Sequence, residues 1–141
     1  MSCFWDSLFR NLIQKKSFFL INHYSNKEYH DIYRYYDKDI KNVLDLSLYL
    51  KENNKFTHNV RWNGEVLTKK QLEENFQHVK DYDVKTINNG YLCSTFDPFL
   101  LLISEIYNVK IINNYMDYKI IYDNINSRKE ITINNNNSHM W

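Results

Sequence analysis

A long apolar segment behind an Asp-Pro pair is the feature that most constrains the fold of this chain. Asp97 and Pro98 are typical of a helix start, because Asp caps the first turn and proline fits the first helical position. The residues that follow are almost all apolar, in the run 99–103 and again at Ile106. A helix that is hydrophobic on most sides must be covered by other elements. We therefore predict that this helix is central.

Three other segments carry helical patterns. Apolar residues in the segment 4–13 recur with the spacing of one helical face, which predicts a helix that opens at or just before Cys3. An apolar stripe predicts a second helix at about residues 41–52. Thr68 and Gln71, three residues apart, match a capping box, and they predict the start of a third helix.

The chain beyond the central helix has the pattern of strands. Three runs rich in Ile and Tyr, separated by Asn and Asp turns, predict an antiparallel meander: 109–112, 118–122 and 130–133. His139 would then begin a further short strand at the end of this small antiparallel sheet. Asn63-Gly64 predicts a turn earlier in the chain. Helices and strands together predict an α+β fold.

Composition limits the number of domains and the classes of partner. With 141 residues, 2 Gly and 1 Pro, the chain shows no linker, so we expect a single domain over 1–141. Eighteen Lys plus Arg against 17 Asp plus Glu give a net charge of +1, which favours neither nucleic acid nor a membrane surface. Two cysteines and no long apolar run indicate a reducing, cytoplasmic setting.

Cys3 is the first candidate for chemistry, because backbone N–H groups at a helix start favour a thiolate over a thiol. A thiolate is a nucleophile when a base lies near it, and His139, far away in sequence but on the neighbouring sheet, fits the base of a papain-like site. The alternatives without a catalytic role are that Cys3 is a small buried apolar residue and that His139 is an exposed surface residue.

The segment 2–8, Ser-Cys-Phe-Trp-Asp-Ser-Leu, together with the distant His139, resembles the ovarian tumour (OTU) family of deubiquitinating cysteine proteases. In that family a cysteine followed by an aromatic residue opens the first helix, and a histidine near the end of the domain is the general base. The resemblance implies a papain-like fold with Cys3 as nucleophile. Its compactness is similar to that of some viral members.

The resemblance also implies roles for the neighbours of this pair. Ser2 stands where the family commonly has an Asp-Gly-Asn-like loop, so the oxyanion would be held by the backbone N–H groups of Ser2 and Cys3. Trp141 stands where an Asp or Asn commonly follows the histidine, and it would line the substrate channel. Without that acid, the site is either a bare dyad or has His139 oriented by a residue of the tract 134–137, with Asn137 preferred.

By this resemblance the chain cleaves the bond after the C-terminal Gly-Gly of ubiquitin or a ubiquitin-like protein. A viral origin would add a viral polyprotein as a target and make the host cytoplasm the place of action. No cofactor is expected, because four further histidines lack metal-ligand spacings: His23, His30, His58 and His78. Glu73 and Glu74 fit a solvated helix face.

Other functions stay open from sequence. Cys93 is a second potential nucleophile, but no helix starts on it. The tyrosine-rich stretch 29–36 would suit a binding module, for protein more than for single-stranded nucleic acid, because acidic residues cancel its basic charge. A third possibility is an inactive OTU-like fold that serves as an interaction domain.

Overall fold

The computed structural model describes residues 3–14, 40–86 and 97–135, with the backbone alone at Cys3, Ile13, Gln14 and Asp97. Within these ranges the chain forms four α-helices and a five-stranded sheet, which confirms the predicted α+β class. The helices are α1 (Cys3–Phe9), α2 (Val43–Glu52), α3 (Lys69–Asp81) and α4 (Asp97–Tyr107). The strands are β1 (Val60–Trp62), β2 (Glu65–Val66), β3 (Val109–Tyr115), β4 (Tyr118–Asn124) and β5 (Lys129–Asn135).

Helix α1 begins at Cys3, as the apolar spacing predicts, and it continues as a π-helical turn over Arg10–Gln14. Its apolar residues enter the core, where four are fully buried: Phe4, Trp5, Leu8 and Leu12. The predicted helical face is therefore confirmed.

Side-chain caps set the starts of α2 and α3. The Asn42 side chain accepts a hydrogen bond of 2.9 Å from the Asp45 N–H at the start of α2. At α3 the predicted capping box is present: the Gln71 N–H donates to Thr68 Oγ1 at 3.1 Å, and the Thr68 N–H donates to Gln71 Oε1 at 2.8 Å. The capping box explains why a short sequence motif locates α3, whereas α2 was predicted from its apolar stripe and its cap at Asn42 was not.

Helix α4 is central, as predicted. It packs on β1, β3 and β4 on one side and on α2 and α3 on the other. Its first turns supply a run of buried apolar side chains: Phe99, Leu100, Leu101, Leu102 and Ile103. Within the described ranges, no helix combines the length and the apolar character that a membrane span requires.

The sheet is mixed, so the prediction of an antiparallel sheet is wrong for β5. The strand order is β2-β1-β4-β3-β5, and β5 runs parallel to β3, with Ile131 opposite Ile111. An antiparallel meander would place β5 on the outer edge of β4, but β1 occupies that edge. Residues 125–128 therefore cross the sheet at the start of β3, where the Arg128 N–H donates to the Asn108 carbonyl at 2.9 Å.

The Asn63-Gly64 turn is confirmed and joins β1 to β2. Both residues have positive φ, 50° and 84°, as a two-residue hairpin turn with the twist of its strands requires. Sequence reasoning gave the turn but not the strands, because three and two residues are too few to show a period. Asn63 also fixes the hairpin to the sheet, since its Oδ1 accepts from the Ile121 N–H at 2.7 Å.

Asparagine occupies core positions on three strands of the sheet. Along β3 and β5 every second residue faces the helices, and this face is buried. Asn113, Asn124 and Asn135 lie on it, each at most 3% exposed. Polar side chains at buried positions need hydrogen-bond partners. The hydrogen bonds of these three asparagines differ, as described below.

Candidate functional site

The predicted site residues lie mostly outside the described part of the chain. Cys3 is the first residue of α1 by its backbone, in the position that the nucleophile hypothesis requires. Its side chain lies outside the described residues, as do Ser2, Asn137, His139 and Trp141. The pairing of Cys3 with His139 therefore stays a prediction. Cys93 and the tyrosine-rich stretch 29–36 also lie outside the described residues.

The first turn of α1 is held by an aromatic cluster of Phe4, Trp5, Tyr82 and Phe99. The Trp5 and Phe99 rings meet edge to face, with centroids 4.8 Å apart. Tyr82 contacts both rings, and its hydroxyl oxygen accepts from Trp5 Nε1–H at 3.0 Å. Each such ring pair contributes about 0.5–1.5 kcal/mol beyond its burial. The start of α1 is thus fixed against the first turn of α4.

Asp6 and Ser7 share the helix face of Cys3, since they follow it by three and four residues. Ser7 is fully buried, and within the described ranges its Oγ and the buried Oδ2 of Asp6 find no hydrogen-bond partner. Sequence reasoning missed these two residues, although their spacing from Cys3 was the available signal. A carboxylate and a hydroxyl one turn from a cysteine can accept hydrogen bonds from a protonated imidazole.

A second polar pair lies at the far ends of β3 and β5. Asn135 Nδ2 donates to Asn113 Oδ1, while Asn113 Nδ2 and Asn135 Oδ1 have no hydrogen-bond partner in the described part of the chain. Asn134, in the tract predicted to orient His139, faces the other side of the sheet and accepts from Asn114 Nδ2 at 3.1 Å. One free donor and one free acceptor, side by side, match the hydrogen-bonding groups of an amide.

The topology brings these two polar groups toward one end of the molecule. Asn108, with φ of 53°, reverses the chain between α4 and β3, so β3 runs back along the helix. With 11 residues α4 is about 16 Å long, and with 7 residues β3 spans about 23 Å. The ends of β3 and of the parallel β5 therefore point to the start of α4, where Trp5 of α1 also packs.

The described histidines and the two glutamates Glu73 and Glu74 fit surface roles, as the sequence indicates. His58 is exposed and its ring lies 5.8 Å from that of Phe56, and His78 is exposed on α3. Glu74 pairs with Lys70 at 3.8 Å along the same helix. Among the residues in 3–14, 40–86 and 97–135, no three His, Cys, Asp or Glu side chains form a group that could hold a metal ion.

Comparison of this chain with protein-family models, with curated proteins and with solved structures finds no match in any of the three. The resemblance to the OTU family therefore rests on the residues around Cys3 and His139 alone.

Proposed function

We propose that the chain is a papain-like cysteine peptidase of the OTU type, formed as one domain by residues 1–141. Its substrate is the peptide or isopeptide bond after the C-terminal Gly-Gly of ubiquitin or a ubiquitin-like protein. A viral polyprotein bond is a further target if the chain is viral. The enzyme acts in the cytoplasm, without a metal or an organic cofactor.

Cys3 and His139 carry the proposed reaction. His139 takes the thiol proton, and Cys3 Sγ attacks the carbonyl carbon of the second glycine. The C–N bond then breaks, and His139 gives its proton to the leaving amine. Water, deprotonated by His139, attacks the thioester and releases the carboxylate and the thiol. The backbone N–H groups of Ser2 and Cys3 hold the oxyanion in both steps.

The observation that carries this proposal is the direction of two elements. Cys3 opens α1, whose first turn packs on the start of α4. From its parallel pairing with β3 we infer that β5 runs toward that same end of α4, and β5 contacts the π-helical turn that continues α1. His139 follows the last residue of β5 by four positions. A nucleophile and a base that are 136 positions apart in the sequence would need such an arrangement in order to meet.

Two polar groups support the same location. Asp6 has a buried acceptor one turn from Cys3, and it is a second candidate, in addition to Asn137, for the group that orients His139. The buried Asn113 and Asn135 pair includes the last residue of β5, which precedes His139 by four positions in the sequence. Unpaired buried groups cost stability, so each needs an explanation, and a catalytic role is one such explanation.

The test is labelling with ubiquitin and with ubiquitin-like proteins whose C-terminal glycine carries a thiol-reactive electrophile. We expect a covalent adduct with the unmodified chain, none with Cys3→Ala or His139→Ala, and full labelling of the matched control Cys93→Ala. Circular dichroism checks that each variant is folded. Labelling that survives in Cys3→Ala and disappears in Cys93→Ala would move the nucleophile to Cys93. If the folded, unmodified chain reacts with none of these probes and cleaves no Gly-Gly amide substrate, it is not this enzyme.

A further inference from the structure

Both glycines of the chain follow an asparagine, in the pairs Asn63-Gly64 and Asn89-Gly90, and the first pair lies in the described residues. Asparagine loses its side-chain amide most readily before glycine, because glycine leaves the backbone nitrogen that follows without a hindering side chain. Asn63 and Gly64 are both exposed. Apart from the chain neighbours of Gly64, no atom in the described ranges lies within 4 Å of where its Cβ would stand. Water therefore reaches this pair.

The reaction at such a pair needs only the chain and water. The Gly64 nitrogen attacks Asn63 Cγ, so a bond forms between these two atoms and the bond from Cγ to Nδ2 breaks. The proton of the Gly64 nitrogen passes through water to Nδ2, which leaves as ammonia. Water then opens the cyclic imide at either of its two carbonyl carbons. One product is aspartate, and the other is isoaspartate, whose backbone runs through Cβ and Cγ.

The sheet holds Asn63 by two hydrogen bonds to one residue of β4. The Asn63 N–H donates to the Ile121 carbonyl at 2.8 Å, and the Ile121 N–H donates to Asn63 Oδ1 at 2.7 Å. The side-chain oxygen thus takes the place that a backbone carbonyl has in an antiparallel ladder. The imide ring is nearly planar, so closing it twists the Asn63 side chain away from its staggered rotamers. A side chain whose oxygen is bound to β4 resists that twist.

The β1–β2 turn cannot accommodate the isoaspartate product. Trp62 pairs directly with Glu65 across the turn, and Asn63 and Gly64 have φ of 50° and 84°. Isoaspartate lengthens the backbone by one atom and makes the carbonyl that bound the Ile121 N–H part of the chain. It therefore loses either the two-residue turn or the bond to β4. Aspartate, in contrast, keeps an oxygen acceptor in the same place.

We propose that Asn63 is a site of spontaneous deamidation whose rate is set by the opening of its hydrogen bond to the Ile121 N–H. The isoaspartate product then detaches the β1–β2 hairpin from β4. A brief opening of the hairpin is thereby made permanent. Neither Cys3 nor His139 takes part, so this site is independent of the proposed peptidase activity.

The test compares two rates in the full chain. Peptide mapping by mass spectrometry follows the loss of the amide at Asn63, in the folded chain and in guanidinium chloride, with Asn89 in the unfolded chain as the reference Asn-Gly pair. Hydrogen exchange of the Ile121 N–H, read from ¹H–¹⁵N spectra, reports the opening of the same bond. We expect Asn63 to react about fivefold or more slowly in the folded chain, the scale of one net hydrogen bond. The protection of the Ile121 N–H from exchange should equal that ratio.

Two valines of the hairpin give a matched pair of variants. Val60 is fully buried in β1, whereas Val66 is 68% exposed on β2. Val60→Ala weakens the packing of β1 and should speed the reaction at Asn63 about tenfold, with an equal loss of protection at the Ile121 N–H. Val66→Ala should change neither quantity. Circular dichroism checks that both variants are folded, and guanidinium chloride below the unfolding transition raises the opening of the unmodified chain as a second route.

The two products separate the consequences. Isolated isoaspartate product should have lost the protection of the Ile121 N–H, and the variant Asn63→Asp should keep it. If Asn63 reacts as fast in the folded chain as in the unfolded one, or faster, the Ile121 N–H stabilises the oxyanion of the attack instead, and the proposal is wrong. It is also wrong if the Ile121 N–H loses protection in Val60→Ala while the rate at Asn63 stays the same, or if the isoaspartate product keeps that protection.

Discussion

Two groups of buried polar side chains differ in how fully they are hydrogen-bonded. One group lies at the end of α4, and the other lies in α1 and in the second halves of β3 and β5. At the end of α4, Glu105 is 5% exposed and accepts from the backbone N–H of Asn59 at 2.9 Å and from its Nδ2 at 2.8 Å. Asn124 donates to the Ser104 carbonyl at 2.8 Å and to Asn108 Oδ1 at 3.1 Å. We call these five residues the paired cluster.

The second set consists of Asp6, Ser7, Asn113 and Asn135, which we call the unpaired set. Each has a buried oxygen or nitrogen without a hydrogen-bond partner in residues 3–14, 40–86 and 97–135. Ser7 and Asn113 are as fully buried as any residue of the core.

The difference separates two reasons for burying a polar group. The paired cluster joins β1 and β4 to α4, so its hydrogen bonds account for its residues as parts of the framework. The unpaired set has one such bond, from Asn135 Nδ2 to Asn113 Oδ1. Its four buried atoms without a partner in the described ranges lower the free energy of unfolding, so stability does not explain them. Groups that break the rules of stable packing are expected at functional sites. Asp6 and Ser7 follow Cys3 by one helical turn, and Asn135 is four positions before His139 in the sequence.

The largest expected effect is in the paired cluster. Glu105→Ala should lower the free energy of unfolding by about 3 kcal/mol, because two partly buried donors of Asn59 lose the buried carboxylate that accepts from them. Urea denaturation followed by circular dichroism measures it. The control is Glu130→Ala, which removes a half-exposed carboxylate 3.9 Å from Lys110 and should change stability by less than about 1 kcal/mol. Equal losses in the two variants would remove the distinction.

An intermediate effect compares asparagines of the two sets. Asn124→Leu should cost about 2 kcal/mol, because it leaves the groups that Asn124 bonds without partners. The double variant Asn113→Leu plus Asn135→Leu removes both members of its pair and should lie within about 1 kcal/mol of the unmodified chain, or above it. Thermal and urea unfolding of the two variants side by side gives the answer. If the double variant loses about 2 kcal/mol or more of its free energy of unfolding, as expected for Asn124→Leu, the Asn113 and Asn135 pair also belongs to the framework.

The smallest effect separates two fully buried serines. Ser104 Oγ donates to the Val109 carbonyl at 2.7 Å, so Ser104→Ala should cost about 1 kcal/mol. Ser7→Ala removes a hydroxyl that has no such bond in the described ranges, and stability should stay the same or rise slightly. Midpoints of urea unfolding at equal slope compare the two. A larger loss for Ser7→Ala than for Ser104→Ala would reverse the comparison.

Local signals in the sequence were sufficient to predict the helices. The Thr68 and Gln71 capping box, the spacing of apolar residues after Cys3 and the Asp97-Pro98 start all act within a few residues of the feature they predict. The apolar run after Pro98 also predicted the central position of α4, because a helix without a polar face must be covered.

Strand pairing could not be predicted in the same way. Strand β5 pairs with β3 because β1 already pairs with the outer edge of β4, and β1 lies more than 60 residues earlier in the chain. The candidate site has the same difficulty. In the helical pattern of α1, Asp6 and Ser7 lie on the polar face, which the sequence assigns to solvent, and only the packing of other elements shows that Ser7 is buried. The position of Cys3 at a helix start can be predicted from a local signal. The residues that surround it cannot, because they come from distant parts of the sequence.

The parallel pairing of β5 bears on the order in which the sheet is completed during synthesis. The β3–β4 hairpin is local and can form within microseconds once residue 124 has left the ribosome. Until residues 129–135 follow and cross over, the outer edge of β3 has unpaired N–H and C=O groups, the kind of edge at which chains aggregate. At a synthesis rate of about 5–20 residues per second, that interval lasts about a second. The short crossover of residues 125–128 keeps this interval brief.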